Sequence, residues 1–292
     1  MKLLSVGLTG TTDDIRARLQ QDCISLKQEG FRVAIDEINK GNYTFLGCNV
    51  IEGELSFRNY ERIKNLLKTY VAKILAELII LREEKKIVKK IIEHNYYYFS
   101  ADEQNIVYDN TLKNLNSNNE VFSDFGRTTR HNTILTKIVD YLDNHHELVL
   151  DGFINFRLKE YRERLVEIVD SAVDDLMMDL EYKEFIRVLR YFVDIQEPQV
   201  EEVHVLLNDN GNFRILDIEG KAINNQQFVD FLNESEINPE DLLITALITI
   251  SPYNIMIHST NPSAAQNVIE TIKSIFEGRV AVCEGCPICR KK

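Results

Sequence analysis

Cys283, Cys286 and Cys289 stand in the run Cys-Glu-Gly-Cys-Pro-Ile-Cys, so three of the chain's five cysteines fall within seven positions. Short loops containing glycine and proline fold back on themselves, and this spacing lets thiolates converge on one soft metal ion or an iron–sulfur cluster. Either site needs a fourth donor, and only three are local. Cys23, Cys48, His204, His258 or a second chain are the candidates. Zinc accepts a histidine or water in that place. A four-cysteine cluster needs a distant cysteine, and Cys23 and Cys48 fall in an expected helix and strand that fix them. The residues therefore point to zinc ahead of an iron–sulfur cluster, in a structural role that pins the chain end. The alternative is a reduced tail closed by Arg290-Lys291-Lys292.

Other constellations carry less chemistry. Thr9-Gly10-Thr11-Thr12-Asp13 lies between an expected strand and helix, where backbone N–H groups can hold an anion. It has no Walker lysine and no G-x-G-x-x-G, and Asp13 and Asp14 repel phosphate, so the residues read as helix capping. Glu160, Glu163, Glu167, Asp170 and Asp174 recur at helical spacing. No Glu-x-x-His accompanies them, and interleaved Arg157, Lys159, Arg162 and Arg164 make this a salt-bridged solvent face. Lys85, Lys86, Lys89 and Lys90 form like-charged pairs four apart, mildly unfavourable unless solvated or bound to something acidic. His145-His146-Glu147 is not H-E-x-x-H. His258 ends an expected strand before Ser259-Thr260-Asn261-Pro262, and ligands often sit at carboxyl ends of strands. No catalytic nucleophile with its base stands out, so no catalytic residue is assigned.

The elements that must hold these residues follow from periodicity and breakers. Leu3–Leu8 reads as a strand and Ile15–Glu29 as a helix. Phe31–Ile35 and Tyr43–Ile51 read as strands joined through Asn39-Lys40-Gly41-Asn42. All five prolines lie beyond residue 197, and Gly126 and Gly152 are the only glycines between Gly53 and Pro198. Such a stretch sustains long helices. These are expected over Phe57–Tyr98, Asn132–Leu142 and Phe153–Ile195, the last with a break near Glu181-Tyr182. Ser100–Arg130, rich in asparagine, reads mostly as loop, with room for a short helix. Phe153 and Phe156, three apart, are expected to be buried against the first long helix. Beyond Pro198, Val203–Leu207 and Phe213–Ile218 flank a hairpin signal. Helices are expected over Gln226–Leu232, Pro239–Thr249 and Ser263–Phe276, and strands over Asn254–Ser259 and Arg279–Cys283.

The expected fold is α+β and mostly helical, with terminal strand–helix–strand segments forming a mixed sheet around a long-helix middle. The two ends are expected to share that sheet, because small α/β pieces rarely stand alone. The divisions are 1–55, 56–197 and 198–292. A formal net charge of −12 disfavours general nucleic-acid binding, which needs a positive field. No apolar window is long enough for a spanning helix, and the start lacks the long apolar core of a secretory signal. Few, clustered cysteines fit a reducing, cytoplasmic setting.

Asp151-Gly152-Phe153-Ile154-Asn155-Phe156-Arg157-Leu158-Lys159-Glu160-Tyr161 resembles the hallmark segment of the YtxC-like family of sporulation proteins. So do Glu184–Val193, Asp241–Thr249 and the closing Gly-Arg-Val with its cysteines. The resemblance covers roughly residues 150–290. It implies a cytosolic protein of sporulating, endospore-forming bacteria and brings no activity, cofactor or catalytic residue. The expected function is that of a sporulation-associated interaction or regulatory protein with a protein partner. The alternative is a metal-dependent enzyme or redox protein using the cysteine cluster.

Overall fold

Leu3, Leu4, Val6 and Leu8 are all buried, so strand β1 (Lys2–Thr9) is covered on both faces, as its nearly unbroken apolar run requires. The computed structural model describes residues 2–10, 12–28, 31–52, 57–116, 124–208, 212–223, 238–259 and 265–286. The chain divides into two compact units, Met1–Met177 and Met178–Lys292. The fold is α+β and mostly helical.

In the first unit, α1 (Asp13–Gln28) follows β1, and β2 (Arg32–Lys40) and β3 (Tyr43–Glu52) form a hairpin. Gly41 takes φ +60° in its turn, a conformation glycine adopts without strain. Asp36 lies over Gly47, where a Cβ would sit 2.1 Å from its Oδ1, and accepts a 2.7 Å hydrogen bond from Asn49. The helices are α2 (Phe57–Leu78), one π-helical turn (Ile79–Glu83), α3 (Glu84–Asn95), α4 (Ala101–Asn116) and α5 (Arg127–Asn144). A three-residue strand, β4 (Glu147–Val149), leads into α6 (Leu150–Arg157) and then α7 (Lys159–Ile195). The sheet order is β2-β3-β1-β4, antiparallel except for the parallel β1–β4 pair. Ile63, Leu67 and Leu75 of α2, Ile134 and Ile138 of α5, and Leu165 and Ile168 of α7 are almost fully buried. Each such side chain contributes about 1.5–3 kcal/mol of transfer free energy.

The second unit contains β5 (Val200–Leu207), β6 (Phe213–Leu216), α8 (Pro239–Ile250), β7 (Pro252–Ser259), α9 (Gln266–Ile275) and β8 (Val280–Val282). Asn238 caps α8 by accepting from the Glu240 N–H, and Pro239 opens it where its missing N–H costs nothing. The sheet order is β6-β5-β7-β8, with the β5–β7 and β7–β8 pairs parallel. Val203, Val205, Ile255 and Ile257 line its core face. Against them pack Ile186 and Val193 of α7, Leu247 of α8 and Ile272 of α9. Among the described residues, no helix is long and apolar enough to cross a membrane.

Four local expectations are corrected. The ends do not share a sheet: β4 completes the first and the β5–β6 hairpin the second, so each end finds partners of its own. Residues 101–116 form a helix, opened by a capping box in which Ser100 and Glu103 satisfy each other's backbone N–H groups. No break falls at Glu181-Tyr182, both ordinary helix residues; α7 runs through them, and the chain breaks instead at buried Leu158. Phe153 is buried against Tyr141, but Phe156 is 83% exposed. Three residues rotate a helix by about 60° short of a full turn, and Leu158 takes the inward place beyond Phe156. The expected helix over Gln226–Leu232 lies outside the described residues.

Candidate metal centre

The parallel β7–β8 pairing builds the site. Ile257 lies opposite Val282, and the Cys283 N–H donates to the Ile257 carbonyl at 2.8 Å. One residue further, His258 and Cys283 therefore fall side by side on the sheet face opposite the core. Gly285 takes φ +128°, which turns the chain back, and its N–H points to Cys283 Sγ at 3.4 Å. Cys286 Sγ then lies 3.4 Å from His258 Nδ1. The donor atoms of His258, Cys283 and Cys286 all lie within 4.8 Å of one another. Tetrahedral zinc with these donors sets them about 3.5–3.8 Å apart, so a small contraction would close the group on an ion. The mixed sulfur and imidazole donors suit zinc.

His258 is buried. Burial first, and the neighbouring His204 second, hold its imidazole below the ordinary histidine value. His204 reaches it from β5, where it stands diagonally across the parallel register, opposite Met256. His204 Nδ1 lies 3.0 Å from His258 Nε2, and His204 Nε2 lies 3.5 Å from a Glu202 carboxylate oxygen. Glu202, His204 and His258 thus form a row behind the cysteines, as the outer shell of a metal-ligating histidine commonly does.

Of the proposed fourth donors, His258 joins Cys283 and Cys286, and His204 stands one step behind. Cys23 and Cys48 are buried in α1 and β3 of the first unit, and neither belongs to the described group. Cys289 lies outside the described residues. Glu202 was not anticipated; its alternation with His204 along one strand face was the available signal. Three of the five α7 carboxylates form a salt-bridged face, Glu160 with Lys137, Glu163 with Lys159 and Glu167 with Arg164, whereas Asp170 accepts from the Tyr96 hydroxyl at 2.6 Å. Of the anion loop, the described part caps α1, with the Thr12 carbonyl accepting from the Arg16 N–H. His145 ends α5 with its ring on the Tyr141 carbonyl.

Comparison with known proteins places this chain in a family. The family model described as YtxC-like family matches residues 69–281, well over half of the chain. The span includes His204 and His258 and stops just before Cys283. The uncharacterized protein YtxC of Bacillus subtilis (strain 168) is 25% identical over 157 residues, covering 53% of this chain and 54% of that protein. The match thus spans about half the length of this relative. No solved structure matches the chain. Most of its helical middle, the second unit up to Ala281 and the histidine pair fall within the matched span, and the chain belongs to the YtxC-like family.

Proposed function

We propose that this protein is a cytoplasmic, sporulation-associated interaction or regulatory protein whose second unit holds a structural zinc ion. The carrying observation for the metal is the convergence of His258 Nδ1, Cys283 Sγ and Cys286 Sγ at the edge of a buried strand. Cys289, three residues beyond Cys286, supplies the fourth donor in this reading. Zinc bound there ties the chain end to β7 and contributes to folding, because the ligands lie on segments that meet only in the folded chain. The sporulation role rests on the family resemblance.

A second reading has an observation of its own. Cys286 Sγ at 3.4 Å from an imidazole nitrogen is also the arrangement of an activated thiol, which suits redox or nucleophilic chemistry. Elemental analysis of protein purified without oxygen separates the two. The expected result is one equivalent of zinc, lost when Cys283 and Cys286 are both replaced by Ser. Iron with acid-labile sulfide overturns zinc in favour of a cluster, and metal-free protein with a reactive Cys286 supports the second reading. Deleting the gene and counting heat-resistant spores tests the cellular role; an unchanged count argues against it.

A further inference from the structure

We infer that the first unit carries a second, independent site, a cleft that binds a small phosphorylated organic molecule. The cleft has a volume of about 630 Å³ and lies between α3, α6 and the start of α7. That size falls in the range of small-molecule pockets, roughly 300–1,000 Å³.

Its charge is the first argument. Lys86, Lys90 and His94 are each four residues apart, so they stand in one row along α3 and all line the cleft. Arg162 faces them from α7. Lys86 is matched by Glu83 at 2.9 Å, and Glu83 also takes Arg82 at 2.8 Å. Lys90 has no carboxylate partner among the described residues. Arg162 donates to the neutral Asn155 amide oxygen at 3.2 Å, which orients the guanidinium without cancelling its charge. Two cations and a histidine therefore face one uncompensated carboxylate, Asp151, in a chain whose net charge is −12. Like charges drawn together on a folded surface are unfavourable until an anion joins them. A phosphate monoester, carrying nearly two negative charges at neutral pH, matches two cations better than a single carboxylate does.

The second argument is the shape and position of the cleft. Ile87, Ile91, Ile154 and Val166 give it apolar walls, which suit the organic body of a ligand rather than a bare ion. Thr9 closes the carboxyl end of β1, and Asp151 lies two residues beyond the carboxyl end of the parallel strand β4, in the first turn of α6. Crevices at carboxyl ends of parallel strands are a recurrent place for ligands. The Asp151 carboxylate, a hydrogen-bond acceptor, fits a ligand hydroxyl. The π-helical turn Ile79–Glu83, a distortion that recurs at functional sites, ends at the cleft.

The test uses the full chain and isothermal titration with ribose 5-phosphate, adenosine monophosphate, inorganic phosphate and, as the uncharged control, adenosine. At least one phosphate ester is expected to bind saturably and adenosine not at all. Lys90→Gln and Arg162→Gln should each weaken the ester about tenfold or more, and Lys90→Arg should restore it. Lys90 is exposed, so its variant is expected to fold normally, and an unchanged melting temperature and zinc content check this. No saturable binding of any ester at millimolar concentration overturns the proposal, as does binding unaffected by both Gln variants. Co-sedimentation with phosphatidic acid vesicles without binding of a soluble ester would assign the phosphate chemistry to a lipid surface and overturn the small-molecule site. Loss of zinc with ester binding intact would separate this site from the metal centre.

Discussion

His204 Nδ1 lies 3.0 Å from His258 Nε2. One of the two nitrogens carries the proton. The other nitrogen of His204 faces the Glu202 carboxylate at 3.5 Å, a partner that calls for an N–H. The pattern that satisfies both contacts has Glu202 accepting from His204 Nε2 and His204 Nδ1 accepting from His258 Nε2. His258 Nδ1 then keeps its lone pair on the side of Cys286. His204 thereby acts as a positioning residue for the proposed metal. Replacing it with Gln should lower zinc affinity about 10–100-fold while one zinc still binds. His258→Ala should cost more, because it removes a donor. Competition with a chromophoric chelator measures both, and equal affinities for wild type and His204→Gln would show that His204 plays no part.

The cysteines should differ sharply in reactivity. Burial, with Asp22 beside it, pushes the Cys23 thiol up to about 11, so at mildly alkaline pH it stays protonated and unreactive. Cys48 is fully buried. Cys283 and Cys286 are partly exposed. Alkylation of metal-free protein followed by mass spectrometry should label Cys283 and Cys286 and spare Cys23 and Cys48. Added zinc should protect the first two. Labelling that zinc does not slow would count against ligation.

Phe153 and Phe156 should behave oppositely despite their shared chemistry. Phe153→Ala opens a cavity beside Tyr141 and should cost about 3–5 kcal/mol in chemical denaturation. Phe156→Ala should change stability by no more than about 0.5 kcal/mol. A large loss from Phe156→Ala would show that its ring is covered in solution, by a partner or a second copy.

Glu84 and Arg130 form a buried ion pair with 3.0 Å between Nε and a carboxylate oxygen, and the Tyr161 hydroxyl donates to the same carboxylate. Arg130 also donates to the carbonyls of Leu115, near the end of α4, and of Phe125. Burial raises the Glu84 carboxyl above its ordinary value, against the lowering influence of Arg130 and Tyr161. Arg130→Met should cost about 3–5 kcal/mol, since it leaves Glu84 buried without its cation. Adding Glu84→Leu should recover much of that loss, and a double variant as unstable as the single one would place the cost in the lost carbonyl contacts instead.

Much of the local structure was legible because it is decided locally. Apolar periodicity gave α1, α2, α5, β1, β3 and β7, and Gly41 marked the hairpin turn that its φ of +60° now explains. The stretch without proline gave α7, although the break at Leu158 carries no breaker residue and could not be read. The helix α4 was hidden by its asparagines, and its buried Val107, Thr111 and Leu115, spaced by four, together with the Ser100–Glu103 box, were the missed signals. Cysteine spacing alone pointed to convergent thiolates.

What only the tertiary structure decided is which distant residues meet. The strand β4 is three residues long, too short for a pattern, and exists as a strand through its parallel pairing with β1 at Ser5, Val6 and Gly7. His258, rather than His204, Cys23 or Cys48, stands beside Cys283 because parallel pairing sets Ile257 opposite Val282. That register is fixed by the core contacts of whole strands and helices, Ile255 and Ile257 with Val203, Val205 and Ile272 among them. A shift of one residue would turn His258 into the core and Ile257 out of it. The spacing of a few residues can therefore encode a chelating loop, while the donor that completes it is chosen by packing summed over the sheet.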